Sequence, residues 1–261
     1  MSFDINKTSN AVSYDIFEGM TSISAVIKSI SEQTSNRKIV KIIYDRDRAE
    51  QKSRELKFLA HKARELNFPL VAVDASEIND LCSGTTHGGI VAVCLKKSFP
   101  ELNVNFLTSG SFFVLIDGIE DPYNFGYSVR SLYAAGVDGI VLPERNWMEF
   151  AGTVSRSSAG TSELVDISFA DTLEAVKLFK DNGFEIVCAG IRDSVSLYEH
   201  NFNKPLLLVV GGEKRGISSR ILQLSDVNVR IDYARDFMGS LPSASAISVI
   251  AFEIAHQRGL K

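Results

Sequence analysis

The stretch FFVLIDGIEDPYNFGYSVR, residues Phe112 to Arg130, decides the fold. Its first five residues form an unbroken apolar run, the pattern of a strand covered by helices on both faces of a sheet. Gly118 then allows a turn, and Pro122 and Asn124 stand where a helix starts, so the segment reads strand, turn, helix. The same order recurs downstream. Strands are predicted at Phe112–Asp117, Gly139–Leu142, Glu185–Cys188, Leu206–Val210 and Val227–Ile231. Helices are predicted near Phe125–Ala135, Asp171–Asn182 and Ser218–Leu224, with a last one over Ala244–Gln257. Alternation of this kind builds an α/β fold with a parallel sheet.

A smaller α/β unit precedes it. Ile23, Val26, Ile27 and Ile30 recur at helical spacing behind a possible cap at Thr21 or Ser22, and Ile39–Tyr44 reads as a strand. Leu56, Leu59, Ala60, Ala63 and Leu66 then share one face of an amphipathic helix. Leu70–Val73 and Gly88–Leu95 complete the strands, with a helical turn at Ile78 and Leu81. The expected division is an extension over residues 1–20, a small unit over 21–97, a linker over 98–110 and a large unit over 111–261.

At 261 residues, with 45% hydrophobic and 23% charged residues, the chain is an ordinary globular sequence and not a disordered one. Apolar runs of about five residues fall far short of the roughly 20 that a membrane helix needs. The polar start MSFDINKTSN has no signal core, so a cytoplasmic protein is expected. Cys82, Cys94 and Cys188 have neither C-x-x-C spacing nor an even count, which suggests reduced, partly buried thiols, and no metal site is expected.

Charge is unevenly spread. The formal net charge is −4, yet residues 28–64 hold 11 basic groups against 5 acidic ones. A polyanion would be drawn first to Lys38, Lys41, Arg46, Arg48, Lys52, Arg54 and Lys57. A solvated helix face would show the same pattern.

Ligands of open parallel sheets gather beyond the carboxyl ends of the strands, where three Gly-bearing turns follow apolar segments here. In the first, Gly126 and Arg130 share a helix face: the glycine permits close approach, and the guanidinium suits a phosphate or a developing oxyanion. A helix-packing glycine beside a surface arginine would look identical. The second, VVGGEKRGIS, has the glycine spacing of a phosphate loop at Gly211 and Gly216, but Ile217 and Ser218 stand where Lys and Ser/Thr are required. Nucleotide hydrolysis is thereby set aside, and Glu213 remains as the one carboxylate of that turn. The third, Met238-Gly-Ser240-Leu241-Pro242, opens an apolar final helix suited to a core or a subunit interface.

Taken in order, the three segments resemble the SpoU/TrmH RNA ribose 2′-O-methyltransferases of the SPOUT class. Asn124-x-Gly126-x-x-x-Arg130 matches the first family motif, VVGGEKRGIS the second and GSLPSASAISVIAFEIAHQR the third. Ser157-Ser-Ala-Gly160 is similar to the family's S-x-G-A segment. Thr86-His87-Gly88-Gly89 resembles the H-Q-G end of its ribosomal-protein-like accessory RNA-binding domain.

The resemblance implies a SPOUT domain with a trefoil knot, a homodimer, S-adenosylmethionine as methyl donor and ribosomal or transfer RNA as substrate. It implies donor contacts at Ala189, Gly190, Gly211, Gly212, Gly216, Ile231 and Leu241, and reaction chemistry at Arg130, Asn124, Glu213 and Ser240. RNA recruitment then falls to the basic residues named above and to His87. Because a guanidinium stays protonated, Arg130 is read as a phosphate clamp and alkoxide stabiliser and not as a base. One departure stands out: the family's S-L-N is Ser240-Leu241-Pro242 here. Proline can donate no hydrogen bond, so Ser243 or Ser245 must replace that contact, or the chain binds RNA with weak or no methyl transfer.

Overall fold

The computed structural model describes residues 14–82, 87–108, 110–144, 150–212 and 216–259. They separate into two compact units, one made of the described residues before Phe99 with the segment Phe150–Gly152, the other of the remainder.

The first unit runs β1 (Tyr14–Glu18), α1 (Gly19–Ser31), β2 (Ile39–Asp45), α2 (Ser53–Leu66), β3 (Leu70–Val73), α3 (Ala75–Leu81) and β4 (Ile90–Leu95). Its sheet has the order β1-β4-β2-β3, with β4 antiparallel to both neighbours and β2 parallel to β3. Alternation along β2 and β4 sends Ile42, Ile90 and Ala92 towards Ile23, Val26, Ile27 and Leu59. Ile43 and Val91 point the other way, towards Ile78. The sheet is therefore covered on both faces.

Two expectations change here. Strand β1 lies within the stretch read as an extension, because its inward face carries Asp15 beside Phe17 and so lacks a clean apolar alternation. The Asp15 carboxylate is buried against the Arg37 guanidinium at 2.6 Å, and Arg37 also donates to the Leu95 carbonyl and stacks over Phe17. Helix α1 starts at Gly19, ahead of Thr21 and Ser22, with Glu18 in the cap position.

The second unit runs α4 (Val104–Leu107), β5 (Phe112–Asp117), α5 (Pro122–Ala134), β6 (Gly139–Leu142), α6 (Ala151–Ser157, belonging to this unit from Thr153 on), β7 (Ile167–Phe169) and α7 (Thr172–Asp181), then β8 (Glu185–Ala189), β9 (Val195–Ser196), β10 (Leu206–Gly211), α8 (Ser219–Leu222), β11 (Val227–Arg230) and α9 (Ser243–Gln257). All seven strands are parallel, in the order β7-β6-β5-β10-β8-β11-β9. Phe112, Val114 and Ile116 pack with α5 and α9 through Val129, Leu132, Ile250 and Ile254. Phe113 and Leu115 face α7 and α8 through Val176, Phe179 and Ile221. This two-sided burial is what the continuous apolar run of β5 required.

Strands β7 and β9 were not anticipated, being three and two residues long. The stretch read as a linker packs onto this sheet: the backbones of Pro100 and Leu102 bond to Phe169, and Leu107 is buried with Phe113. Among the described residues no helix is long and apolar enough to cross a membrane.

Candidate active site

Strand register decides which turns meet. β10 pairs with β5 so that Gly211 lies opposite Asp117, which brings the following residues, Gly212 and Gly118, into contact. A Cβ on Gly118 would come within 3.0 Å of the Gly212 backbone, and one on Gly212 would overlap the Gly118 carbonyl. A Cβ on Gly211 would likewise run into the Gly216 backbone, whose N–H donates to the Gly212 carbonyl. These glycines thus let two turns close on each other. Glu213, the expected carboxylate of the second turn, lies outside the described residues.

A second junction forms where β8 and β11 end together, Val229 lying opposite Ala189. Beyond them opens a cleft of about 360 Å³ lined by Ala189, Gly190, Ile191, Val229, Arg230, Ile231 and Asp232, by Tyr233, Phe237, Gly239, Ser240 and Leu241, and by Ala246 and Ile250 of α9. Ala189, Gly190, Ile231, Ser240 and Leu241 had been singled out from the sequence; the other lining residues had not. Gly211, Gly212 and Gly216 are not in the lining: Gly212 meets the Gly118 turn, Gly211 meets the Gly216 backbone within its own turn, and Gly216 has a positive φ of 61°.

The polar end of the cleft is ordered. Asp232 accepts from the Ser196 hydroxyl and from Arg230 Nε at 2.8 Å, and Arg230 also donates to the Ser194 carbonyl. The Ser196 hydroxyl, with Arg230 behind it, holds the Asp232 carboxyl below its ordinary range, so it stays ionised at neutral pH. Tyr233 Oη accepts from the Leu241 N–H at 3.2 Å, fixing the loop that leads into α9. Pro242 occupies the N-cap position of α9, and its carbonyl accepts from the N–H groups of Ser245 and Ala246. Ser243 is buried and Ser245 exposed.

Helix α5 carries the other expected residues. Asp121 caps it by accepting from the Asn124 N–H, and Gly126 packs so tightly on α6 that a Cβ would overlap Ser157 Oγ. Gly126 therefore serves helix packing, against Ser157 and the Val154 carbonyl. Asn124 is half-buried and Arg130 exposed, and neither lines the cleft. Arg130 has no hydrogen bond or ion pair among the described residues, and Ser131 and Ser248 join α5 to α9 at 2.7 Å.

In the first unit Lys38, Arg54 and Lys57 are exposed and Lys41 is half-buried. Arg46 pairs with Asp74, Arg48 with Asp45 and Lys52 with Glu55, which dilutes their pull on an anion. His87 is only 8% exposed, and its ring is engaged at both nitrogens: Nδ1 accepts from the Gly89 N–H and Nε2 lies 3.1 Å from Asn79 Oδ1. Both ring nitrogens are thus occupied, and the ring presents no open edge. Cys94 and Cys188 are buried, and burial pushes the Cys188 thiol above its usual range. Among the described residues no cluster of His, Cys, Asp or Glu could hold a metal.

A parallel α/β sheet with a ligand-sized cleft beyond its carboxyl ends defines the class of small-molecule-binding α/β proteins. Residues 111–252 match the model of the SpoU rRNA Methylase family, and the chain belongs to that family. A Staphylococcus saprophyticus relative named for TrmH family tRNA/rRNA methyltransferases is 28% identical over 72% of this chain and 77% of its own. The solved structure of an AdoMet-bound rRNA methyltransferase from Sinorhizobium meliloti superposes with a TM-score of 0.77 at 21% identity, covering 97% of this chain and 90% of that one. An RNA 2′-O ribose methyltransferase superposes at 0.75 and 17% identity, covering 96% and 91%.

Proposed function

We propose that the protein transfers a methyl group from S-adenosylmethionine to a ribose 2′-hydroxyl of ribosomal or transfer RNA, acting in the cytoplasm as a homodimer. The observation that carries this reading is the cleft beyond β8 and β11, lined by Ala189, Gly190, Ile231, Ser240 and Leu241, residues that the family resemblance implies for donor and reaction. The bound donor of the Sinorhizobium meliloti relative and the ribose specificity of the second structural neighbour support it.

The cleft suits the donor. Its volume falls in the range of small-molecule sites, roughly 300–1,000 Å³. Val229, Ile231, Leu241 and Ile250 offer apolar wall to a purine, and a Cβ at Gly190 would meet nothing within 4 Å, so its absence leaves room for a ligand. Asp232 and Arg230 place an ion pair at the polar end of the cleft, where both can hydrogen-bond a polar ligand. When bound, S-adenosylmethionine supplies an electrophilic methyl group on a positively charged sulfur.

Transfer would form the O2′–methyl bond as the sulfur–methyl bond breaks, leaving S-adenosylhomocysteine and releasing the hydroxyl proton to solvent, and it requires the ribose oxygen to be held in line with that methyl group. Ser240 holds the reacting end from the cleft wall, and Arg130 clamps the adjacent phosphate and stabilises the developing alkoxide, with Asn124 and Glu213 orienting it. Since Arg130 does not line the cleft of its own chain, a second copy of the chain supplies it. The exposed Tyr123, Tyr127 and Phe252 on α5 and α9 are the apolar surface for such a dimer. Residues 21–97 recruit RNA through Lys38, Lys41, Arg46, Arg48, Lys52, Arg54 and Lys57, with His87 shaping the loop beside them. Residues 111–261 form the catalytic domain with a trefoil knot, a reading supported by the insertion of β10 between β5 and β8.

The test is incubation of the purified protein with methyl-labelled donor and deproteinised ribosomal or transfer RNA, followed by nuclease mapping. Label on a ribose 2′-oxygen is expected. Label on a base overturns the ribose assignment. Donor binding without incorporation overturns the transferase and favours an RNA-binding protein silenced at Pro242.

A further inference from the structure

The loop between β11 and α9 shows more apolar surface than folding requires. Phe237 is 57% exposed and Met238 fully exposed, with Tyr233 beside them at 38%. Single exposed apolar side chains are ordinary, but three within six residues at the rim of one cleft are not. The rings are also arranged. Tyr233 is pinned by the Leu241 N–H, its ring centroid lies 5.7 Å from that of Phe237 at an interplanar angle of 60°, and both rings line the cleft. Gly239 contributes by absence, since a Cβ there would come within 2.6 Å of Phe237 Cζ and push the ring aside.

The geometry points to Phe237, backed by Tyr233, as a stacking platform for the base of the nucleotide that receives the methyl group. This rests on the methyltransferase reading and adds to it the contact that seats the target nucleotide. The sugar carbon bearing the 2′-oxygen is bonded to the carbon that carries the base. An oxygen brought to Ser240 therefore puts its base within a few bonds of the same wall, where the lining offers an open aromatic face two and three residues from Gly239 and Ser240. Single-stranded RNA is read largely by stacking of unpaired bases on aromatic side chains, which tolerates any base because every base has a π-face.

Four measurements on the full chain test this with Phe237→Ala and Phe237→Trp. They are donor affinity by calorimetry, KM for deproteinised ribosomal RNA, kcat, and oligomeric state by sedimentation. Phe237→Ala should raise the RNA KM about tenfold, the scale of one lost stacking contact, a larger change than in donor affinity or kcat, with the oligomeric state kept. Phe237→Trp should restore the KM. The proposal is overturned if donor affinity falls by the same factor, which would place the ring on the donor's adenine. It is also overturned if the alanine variant changes oligomeric state, or if its RNA KM stays as in the unaltered protein. Unaltered protein that binds the donor yet methylates no RNA brings down the transferase reading itself, a failure visible before any variant is made.

Discussion

At Gly212 a single methyl group is enough to disturb the centre of the second unit. The Gly118 carbonyl occupies the space that a Cβ would need, so Gly212→Ala must separate the turns after β5 and β10. We expect it to cost about 1–3 kcal/mol by overpacking, measured as a lower midpoint in urea. Arg130 is the opposite case, an exposed side chain whose removal disturbs no packing. Arg130→Ala should lower methyl transfer about 100-fold or more, the scale of losing one oxyanion donor, while calorimetry finds donor affinity within about twofold. Donor affinity lost in parallel would show that the guanidinium serves the donor. Close packing was legible at Gly126, whose missing side chain reads as room for another backbone and which lies tight against α6, whereas Gly212, expected at the donor, lies against the Gly118 turn. Roles were not legible for Val229, Arg230, Asp232, Tyr233, Phe237, Ala246 and Ile250, which become cleft wall only once β8, β11 and α9 are brought together. Alternation along β11 with the aromatic spacing of Tyr233 and Phe237 was the only available hint.

Between elements, Asp226 ties three pieces of the second unit. Its carboxylate accepts from Lys180 at the end of α7 and from the Ile186 N–H of β8, at 2.7 and 2.8 Å, just before β11 begins. Burial alone would raise its pKa, but the Lys180 ammonium and the Ile186 amide outweigh that and set it below the ordinary value. A lowered folded-state pKa means that this stabilisation is complete above the unfolded-state value and is lost as the pH falls towards the folded-state one. Asp226→Asn should therefore cost about 1 kcal/mol at neutral pH, kept small by solvent exposure. The gap from the unaltered protein should close in thermal melts below about pH 4. Longer elements were readable because their apolar pattern is sustained: β5 matches its expected bounds, and α7 and α9 come within a residue or two of theirs. β1 was hidden because an ion pair fills an inward position, so the alternation that marks a strand is broken by Asp15. β7 and β9 are too short to show any period.

Over the whole molecule the charge asymmetry carries its own expectation. Lys38, Lys41, Arg54 and Lys57 have no ion pair among the described residues, in a chain whose total charge is negative. Replacing all four by Gln should weaken RNA binding and flatten the slope of log affinity against log salt by up to about 3 units, at roughly 0.7–0.9 per phosphate contact. Filter binding between about 50 and 200 mM salt measures it, and an unchanged slope would assign those residues to a solvated surface. Donor affinity should not respond.

The placement of β10 has a consequence for biogenesis. It is the sixth strand of its sheet to be synthesised, yet it sits between β5 and β8 and supplies the hydrogen bonds that join them. Until residues 206–211 leave the ribosome, the β5–β6–β7 ladder and β8 share no backbone pairing, and their long apolar edges stay open. Such non-local pairing is slow to form and prone to aggregate meanwhile. A nascent chain stalled before Leu206 is thus expected to be a client for chaperones.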